Sequence, residues 1–255
     1  MPIQQPITDA IEATGELDQG EGKETIVCLH GWCCRTGDFA PQVQSLSTKY
    51  RVLVVDWQQR LTRRHGSCAF DEICADIASC IQRAGVTRPL LCGHSLGGFL
   101  ATQIAFEHRL PIRGLLVLDS TIPLPDQTRD SWIQVADRLE RGPFGTACDA
   151  FVRSLFIDSE QGPIQESVIQ GMTSQPADVA VGLVREICSH RWALSLQAID
   201  APVHMVASQH SQLDMDAFHA YVPSATSERI DNSGHFITLF QAERVCQAML
   251  RMLNR

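Results

Sequence analysis

Short runs of apolar residues alternate along this chain with longer stretches in which apolar residues recur every three or four positions. The runs are 25-TIVCLH-30, 51-RVLVVDW-57, 88-RPLLCG-93, 113-RGLLVLDS-120 and 202-PVHMVAS-208, and a last short one opens 226-TSERIDNSGH-235. The run 51–57 is continuously apolar, as parallel strands covered on both faces are. The stretches with a helical period are 35–47, 70–85, 97–108 and 240–255. In the second of these, Phe70, Ile73, Ile77, Cys80 and Ile81 share one helical face, and Gly85 supplies the C-cap. Strands alternating with helices predict an α/β fold, a mostly parallel central sheet flanked by helices.

The alternation stops between about residues 123 and 198. Four helices are expected there in succession, over 130–142, 146–156, 163–172 and 176–187. A helical insertion between two strands reads as a cap over the ligand-binding edge, since open α/β sheets bind ligands at the carboxyl ends of their strands. The expected organisation is one domain, with a core of residues 1–122 and 199–255 and the cap between them.

Composition narrows the function. With 255 residues, 44% hydrophobic and 20% charged, the chain suits an ordinary soluble domain. A formal net charge of −8 argues against a nucleic-acid partner, which needs clustered Lys and Arg. No apolar run approaches the roughly 20 residues of a bilayer span, and the polar, acidic first residues are no signal peptide. A cytoplasmic location is therefore expected, with no membrane partner. The ten cysteines include no C-x-x-C pair and no zinc-finger spacing, so they read as reduced thiols, and no metal is expected.

The chemistry concentrates in 90-LLCGHSLGGFLATQIA-105, where Gly93-His94-Ser95-Leu96-Gly97 matches G-x-S-x-G between a strand and a helix. Such a turn is too tight for side chains at its flanks, so glycines surround a serine whose Oγ stands at the sheet edge. It also aims the next backbone N–H, that of Leu96, at a developing oxyanion. The second oxyanion donor is expected from the Trp32 N–H, in the loop after the first strand. The base is expected late in the chain, at His235 in 231-DNSGHFITLF-240. His94 is expected to point away from the nucleophile, and His30 to brace the oxyanion loop or border the pocket.

These residues resemble the α/β-hydrolase family over nearly the whole chain. The resemblance implies an acid after the strand that follows the cap, in a G-x-x-D pattern. Here that position holds His210, with Asp214 and Asp216 beyond it. The family's other acid position closes the strand before the cap, where 115-LLVLDS-120 offers Asp119. A carboxylate ending a buried strand needs a partner, and the Nδ1–H of His235 would be one. Asp119 is favoured, with Asp214 as the alternative, so the expected triad is Ser95, His235 and Asp119. The family's D-x-x-G-x-G-x-S pattern is displaced here to 56-DWQQRLTRRHGS-67, whose Arg60, Arg63 and Arg64 read as a solvated basic loop.

Two enzymatic readings follow. The first is a serine hydrolase that cleaves a small, largely apolar ester, thioester or lactone without a cofactor. Its pocket would be shaped by His30, Cys34, Trp132, Phe144, Phe151 and Trp192. The second comes from a resemblance to the cofactor-independent 3-hydroxy-4-quinolone 2,4-dioxygenases. It lies in Gly31-Trp32-Cys33, Val55-Asp56-Trp57, Asp119 and 207-ASQHSQLDMDAF-218. It implies a His235–Asp119 dyad that deprotonates the substrate, with Ser95 only a hydrogen-bonding group. Cys34 and Leu96 depart from that family's pattern, which expects histidines there. A non-catalytic receptor on the same fold is a third possibility.

Overall fold

The computed structural model describes residues 15–63, 68–107, 110–190 and 199–255. Seven strands form one sheet: β1 (Leu17–Gln19), β2 (Thr25–Leu29), β3 (Arg51–Val55), β4 (Leu90–His94), β5 (Gly114–Leu118), β6 (Val203–Ser208) and β7 (Thr226–Ile230). Their order is β1-β3-β2-β4-β5-β6-β7. Every pairing is parallel except β1 with β3, which is antiparallel. β1 was not foreseen, because one half-buried leucine followed by two exposed polar residues carries no hydrophobic period.

The helices are α1 (Ala40–Leu46), α2 (Trp57–Arg63), α3 (Phe70–Arg83), α4 (Leu96–Phe106), α5 (Asp126–Arg141), α6 (Phe144–Arg153), α7 (Pro163–Thr173), α8 (Ala177–Ser189), α9 (Met215–Tyr221), α10 (Ile237–Phe240) and α11 (Ala242–Leu253). The two-residue period of the strands sorts their side chains to the two faces of the sheet. Val27, Leu29, Leu91, Leu115 and Val117 join one core with α3, α4 and the helices between β5 and β6. Ile26, Cys28, Cys92, Leu116 and Leu118 join the other with α1 and α11. β4 and β5 are buried at every position, as central parallel strands must be.

Some expected boundaries shift for local reasons. The strand expected over 51–57 ends at Val55, because the Asp56 carboxylate accepts the Gln59 N–H (3.2 Å) and so starts α2 at Trp57. In α3 the buried stripe includes Cys74, while Cys80 is only half-buried and faces Glu16. The helix expected over 240–255 breaks at Gln241, whose φ −124 and ψ 36 are not helical, giving α10 and α11. Between β5 and β6 the four helices α5 to α8 occupy residues 126–189. No helix among the described residues is long and apolar enough to cross a membrane.

Candidate active site

Backbone strain marks the site independently of any motif. Among the described residues, four non-glycine residues have positive φ: Cys33 (55°), Ser95 (53°), Asp119 (47°) and Asn232 (50°). Each lies just beyond the carboxyl end of a parallel strand, after β2, β4, β5 and β7 respectively. Each such conformation costs about 1–3 kcal/mol and persists only where surrounding structure enforces it, commonly at functional sites.

At Ser95 the enforcing structure is clear. β4 ends at His94 and α4 begins at Leu96, so a single residue makes the turn. A Cβ on Gly93 would lie 2.1 Å from the Gly97 carbonyl oxygen, and one on Gly97 would lie 2.1 Å from that of Leu29. Ser95 N–H donates to Leu118 O (2.9 Å), and the Ser120 hydroxyl donates to Ser95 O (2.7 Å), so the turn is tied to β5 and its loop.

At Asp119 the carboxylate is divided between two donors. Oδ1 accepts the Ser208 N–H from the end of β6 (2.6 Å), and Oδ2 accepts from His235 Nδ1 (2.7 Å). Burial alone would push this carboxyl up. The His235 hydrogen bond and charge, the Ser208 N–H and His94 together outweigh burial and hold it below the ordinary carboxylate range. With Nδ1 donating to Asp119, neutral His235 leaves Nε2 bare and able to take a proton. Asp214, the alternative acid, does something else: it is exposed and accepts the Ala217 N–H (3.0 Å) as the N-cap of α9.

Ser95, Asp119 and His235 open onto one cavity of about 540 Å³. Among the described residues no hydrogen bond joins the Ser95 hydroxyl to His235. Trp32, Cys34, Trp132 and Phe151 stand on the same wall, and His210 and Gln212 border it on the β6 side. The ring of Phe151 meets those of Trp32 and Trp132 edge-on, at 5.8 and 6.1 Å between centroids. Two expected wall residues are elsewhere. His30 is fully buried behind the loop, stacked on Trp57 (5.1 Å) with Nε2 3.7 Å from Asp56. Phe144 packs half-buried against the main core, because it opens α6 at the end away from Phe151. Trp192, Arg64 and the Arg63 side chain lie outside the described residues. Arg60 pairs with Asp76 (2.6 Å) and Glu16 (2.8 Å), so it is not a free cation for a ligand.

The loop after β2 is held from three sides. Trp32 Nε1 donates to Ala180 O of α8 (2.8 Å), Cys33 N–H donates to Gln58 Oε1 (2.9 Å), and Trp57 Nε1 donates to His30 O (3.0 Å). Among the described residues the backbone N–H groups of Trp32 and Leu96 have no acceptor. Burial, with Asp38 beside it, pushes the Cys34 thiol well above its ordinary range, and burial does the same for Cys33. Neither thiol is a nucleophile at neutral pH. Among the described residues no cluster of His, Cys, Asp and Glu could hold a metal ion.

Sequence reasoning missed two contributors. His94 turns toward His235, not simply away from the serine, and Glu160 reaches Gly234, beside His235, from between α6 and α7. Neither has a local signal, since each partner is remote in the chain.

The chain and its fold have known counterparts. A pimeloyl-acyl carrier protein methyl ester esterase of Xanthomonas oryzae pv. oryzae is 29% identical over 248 residues, covering 89% of this chain and 94% of the relative. The bromoperoxidase of Bacillus anthracis superposes with a TM-score of 0.82 at 15% identity, over 94% of this chain and 95% of that one. A thermophilic esterase from Thermogutta terrifontis does so with a TM-score of 0.78 at 20% identity, over 94% and 92%. The sequence model of the alpha/beta hydrolase family matches residues 26–248, and with this sheet order and strand–serine–helix turn the chain belongs to that family.

Proposed function

We propose that the protein is a serine esterase for small, uncharged, largely apolar carboxylic esters, with thioesters and lactones open to the same chemistry. The observation that carries this reading is Ser95, strained at the head of α4, on one cavity wall with the His235–Asp119 pair. His235 Nε2 takes the Ser95 proton as Oγ attacks the ester carbonyl. Asp119 holds the imidazole and stabilises its cation. The N–H groups of Trp32 and Leu96 hold the oxyanion. The protonated His235 returns its proton to the leaving alkoxide, and water, deprotonated by His235, then releases the acid from the acyl-enzyme. No cofactor takes part. Residues 126–189 act as the cap over this cavity.

The substrate class follows from the wall. Among its described residues there is no Lys or Arg, and apolar rings dominate one side. The insertion carries ten Asp and Glu against five Arg over residues 126–189. An acyl chain or alcohol bearing a carboxylate or phosphate therefore finds no cation, which sets this pocket against a charged ester. The free cysteines suit a reducing, cytoplasmic setting.

The test is intact-mass analysis after treatment with a fluorophosphonate, with Ser95→Ala as control, followed by paired esters that differ only by an ω-carboxylate. One adduct that is absent in the control, with the neutral ester at least about tenfold faster in kcat/KM, is the expected result. No adduct on folded protein, combined with oxygen uptake on 3-hydroxy-4-quinolones that survives Ser95→Ala, would replace this reading with the dioxygenase one.

A further inference from the structure

The base loop is held by the insertion as well as by the core. Between α6 and α7 the chain passes directly over residues 234–236. The carbonyl of Leu155 accepts the His235 N–H at 2.8 Å. The carboxylate of Glu160 accepts the Gly234 N–H through Oε1 at 2.8 Å, and its Oε2 accepts the Ile157 N–H at 3.2 Å. Phe156 stacks on Phe236 at 4.5 Å between centroids. Glu160 is 4% exposed, a burial that carboxylates rarely have without such partners.

The fit is close enough to require a glycine. A Cβ on Gly234 would lie 2.3 Å from Glu160 Oε2 and 2.8 Å from Leu155 O. The same segment also faces the ligand space, since Ser154, Leu155, Phe156 and Ile157 are four consecutive residues of the cavity wall. One short strap thus touches the ligand volume on one side and the backbone of the base on the other.

We propose that Glu160 is a positioning residue for His235, and that residues 154–160 form a strap through which the insertion sets the base. This rests on the reading of Ser95 and His235 as nucleophile and base. The carboxylate fixes Gly234, the Leu155 carbonyl fixes His235, and the imidazole is then aimed by two backbone anchors and by Asp119. The strap acts on proton transfer, so its loss falls on kcat, while the apolar wall that binds substrate stays in place.

The experiment compares wild type, Glu160→Ala and Glu160→Gln, each confirmed folded by circular dichroism. It measures the rate constant for fluorophosphonate labelling of Ser95, with kcat and KM on the best ester of the panel. Labelling needs the nucleophile and base but no knowledge of the natural substrate. Glu160→Ala is expected to lose about a hundredfold in labelling rate and in kcat, as a displaced base does, with KM within about threefold. Glu160→Gln keeps an oxygen acceptor for Gly234 and is expected to stay within about tenfold of wild type, since it loses no more than one neutral hydrogen bond.

A folded Glu160→Ala that labels within about threefold of wild type would overturn the proposal, because that is the scatter of a residue with only a structural role. So would a Glu160→Gln that falls as far as the alanine. If Glu160→Ala does not fold, Gly234→Ala displaces the strap from the other side, and the same thresholds decide. Failure of wild type to label removes the nucleophile reading itself, and is thereby distinct from failure of the strap.

Discussion

The His94 imidazole donates from Nε2 to the backbone carbonyl of His235 at 2.9 Å, and the two rings lie 4.8 Å apart between centroids. The residue before the nucleophile therefore holds the residue that deprotonates it in our reading. Burial, and then the proximity of His235, push the His94 imidazole down to about 3. Its ordinary value is about 6.5. Between those values the unfolded chain binds a proton that the folded protein refuses. Stability from neutral His94 is therefore complete above about pH 6.5 and is lost progressively as pH falls toward the folded value. Urea denaturation at pH 7 and pH 5 is expected to show an acid loss about 2 kcal/mol larger in wild type than in His94→Gln, which keeps a donor but does not titrate. Asp119, held low, adds its own loss only below about pH 4, outside that window. Equal losses in the two proteins would mean that His94 is protonated, or free to move, in the folded state.

Of the two candidate acids, Asp119 bonds to His235 and Asp214 caps α9. Asp119→Asn would keep the shape but let His235 adopt the wrong tautomer. Its expected effect is a loss of at least about 10³-fold in kcat. Asp214→Ala should leave turnover within about threefold and lower stability by about 1 kcal/mol, the typical worth of an N-cap. Steady-state kinetics and thermal melts on both variants check this. Comparable activity losses would undo the assignment of the acid.

The glycine after the serine's neighbour is a packing requirement before it is a catalytic one. A Cβ on Gly97 would stand 2.1 Å from Leu29 O and 2.6 Å from His30 O, backbone atoms of the last residue of β2 and of the first residue beyond it. Gly97→Ala must push α4 away from that backbone. An overpacking penalty of about 3 kcal/mol is expected, which lowers Tm by roughly 6–12 °C in a domain of this size. Differential scanning calorimetry reads it directly, and a Tm within 2 °C of wild type would show that the helix moves at little cost.

Phe151 lines the cavity between Trp32 and Trp132. Removing its ring in Phe151→Ala lengthens the apolar space available to an acyl chain. Each added methylene that becomes buried is worth about 0.8 kcal/mol, or about fourfold in kcat/KM. A series of esters of increasing acyl length is expected to show its optimum shifted by one or more carbons in the variant. An unchanged optimum with uniformly reduced rates would place the acyl chain elsewhere.

What the sequence determines by itself is local. The continuous apolar runs and the helical period depend on neighbours a few positions apart, so they reveal six of the strands, most helices and the serine turn of an α/β fold. β1 escaped because its pairing, not its own residues, makes it a strand. The break at Gln241 escaped because Gln42 Nε2 donates to Thr238 O and anchors α10 from 196 residues away. That His235 bonds to Asp119 and not to Asp214 needed the tertiary structure, since the two partners lie 116 positions apart. The same holds for His94 and His235, 141 apart, and for Glu160 and Gly234, 74 apart. His30 and Phe144 carry the right chemistry for a pocket wall, yet stacking on Trp57 and packing into the core take them away from it. Periodicity decides which face of an element is buried. Only the assembly of the sheet and the packing of residues 126–189 on it decide which buried polar groups meet, because a hydrogen bond is set by distance in space and not along the chain.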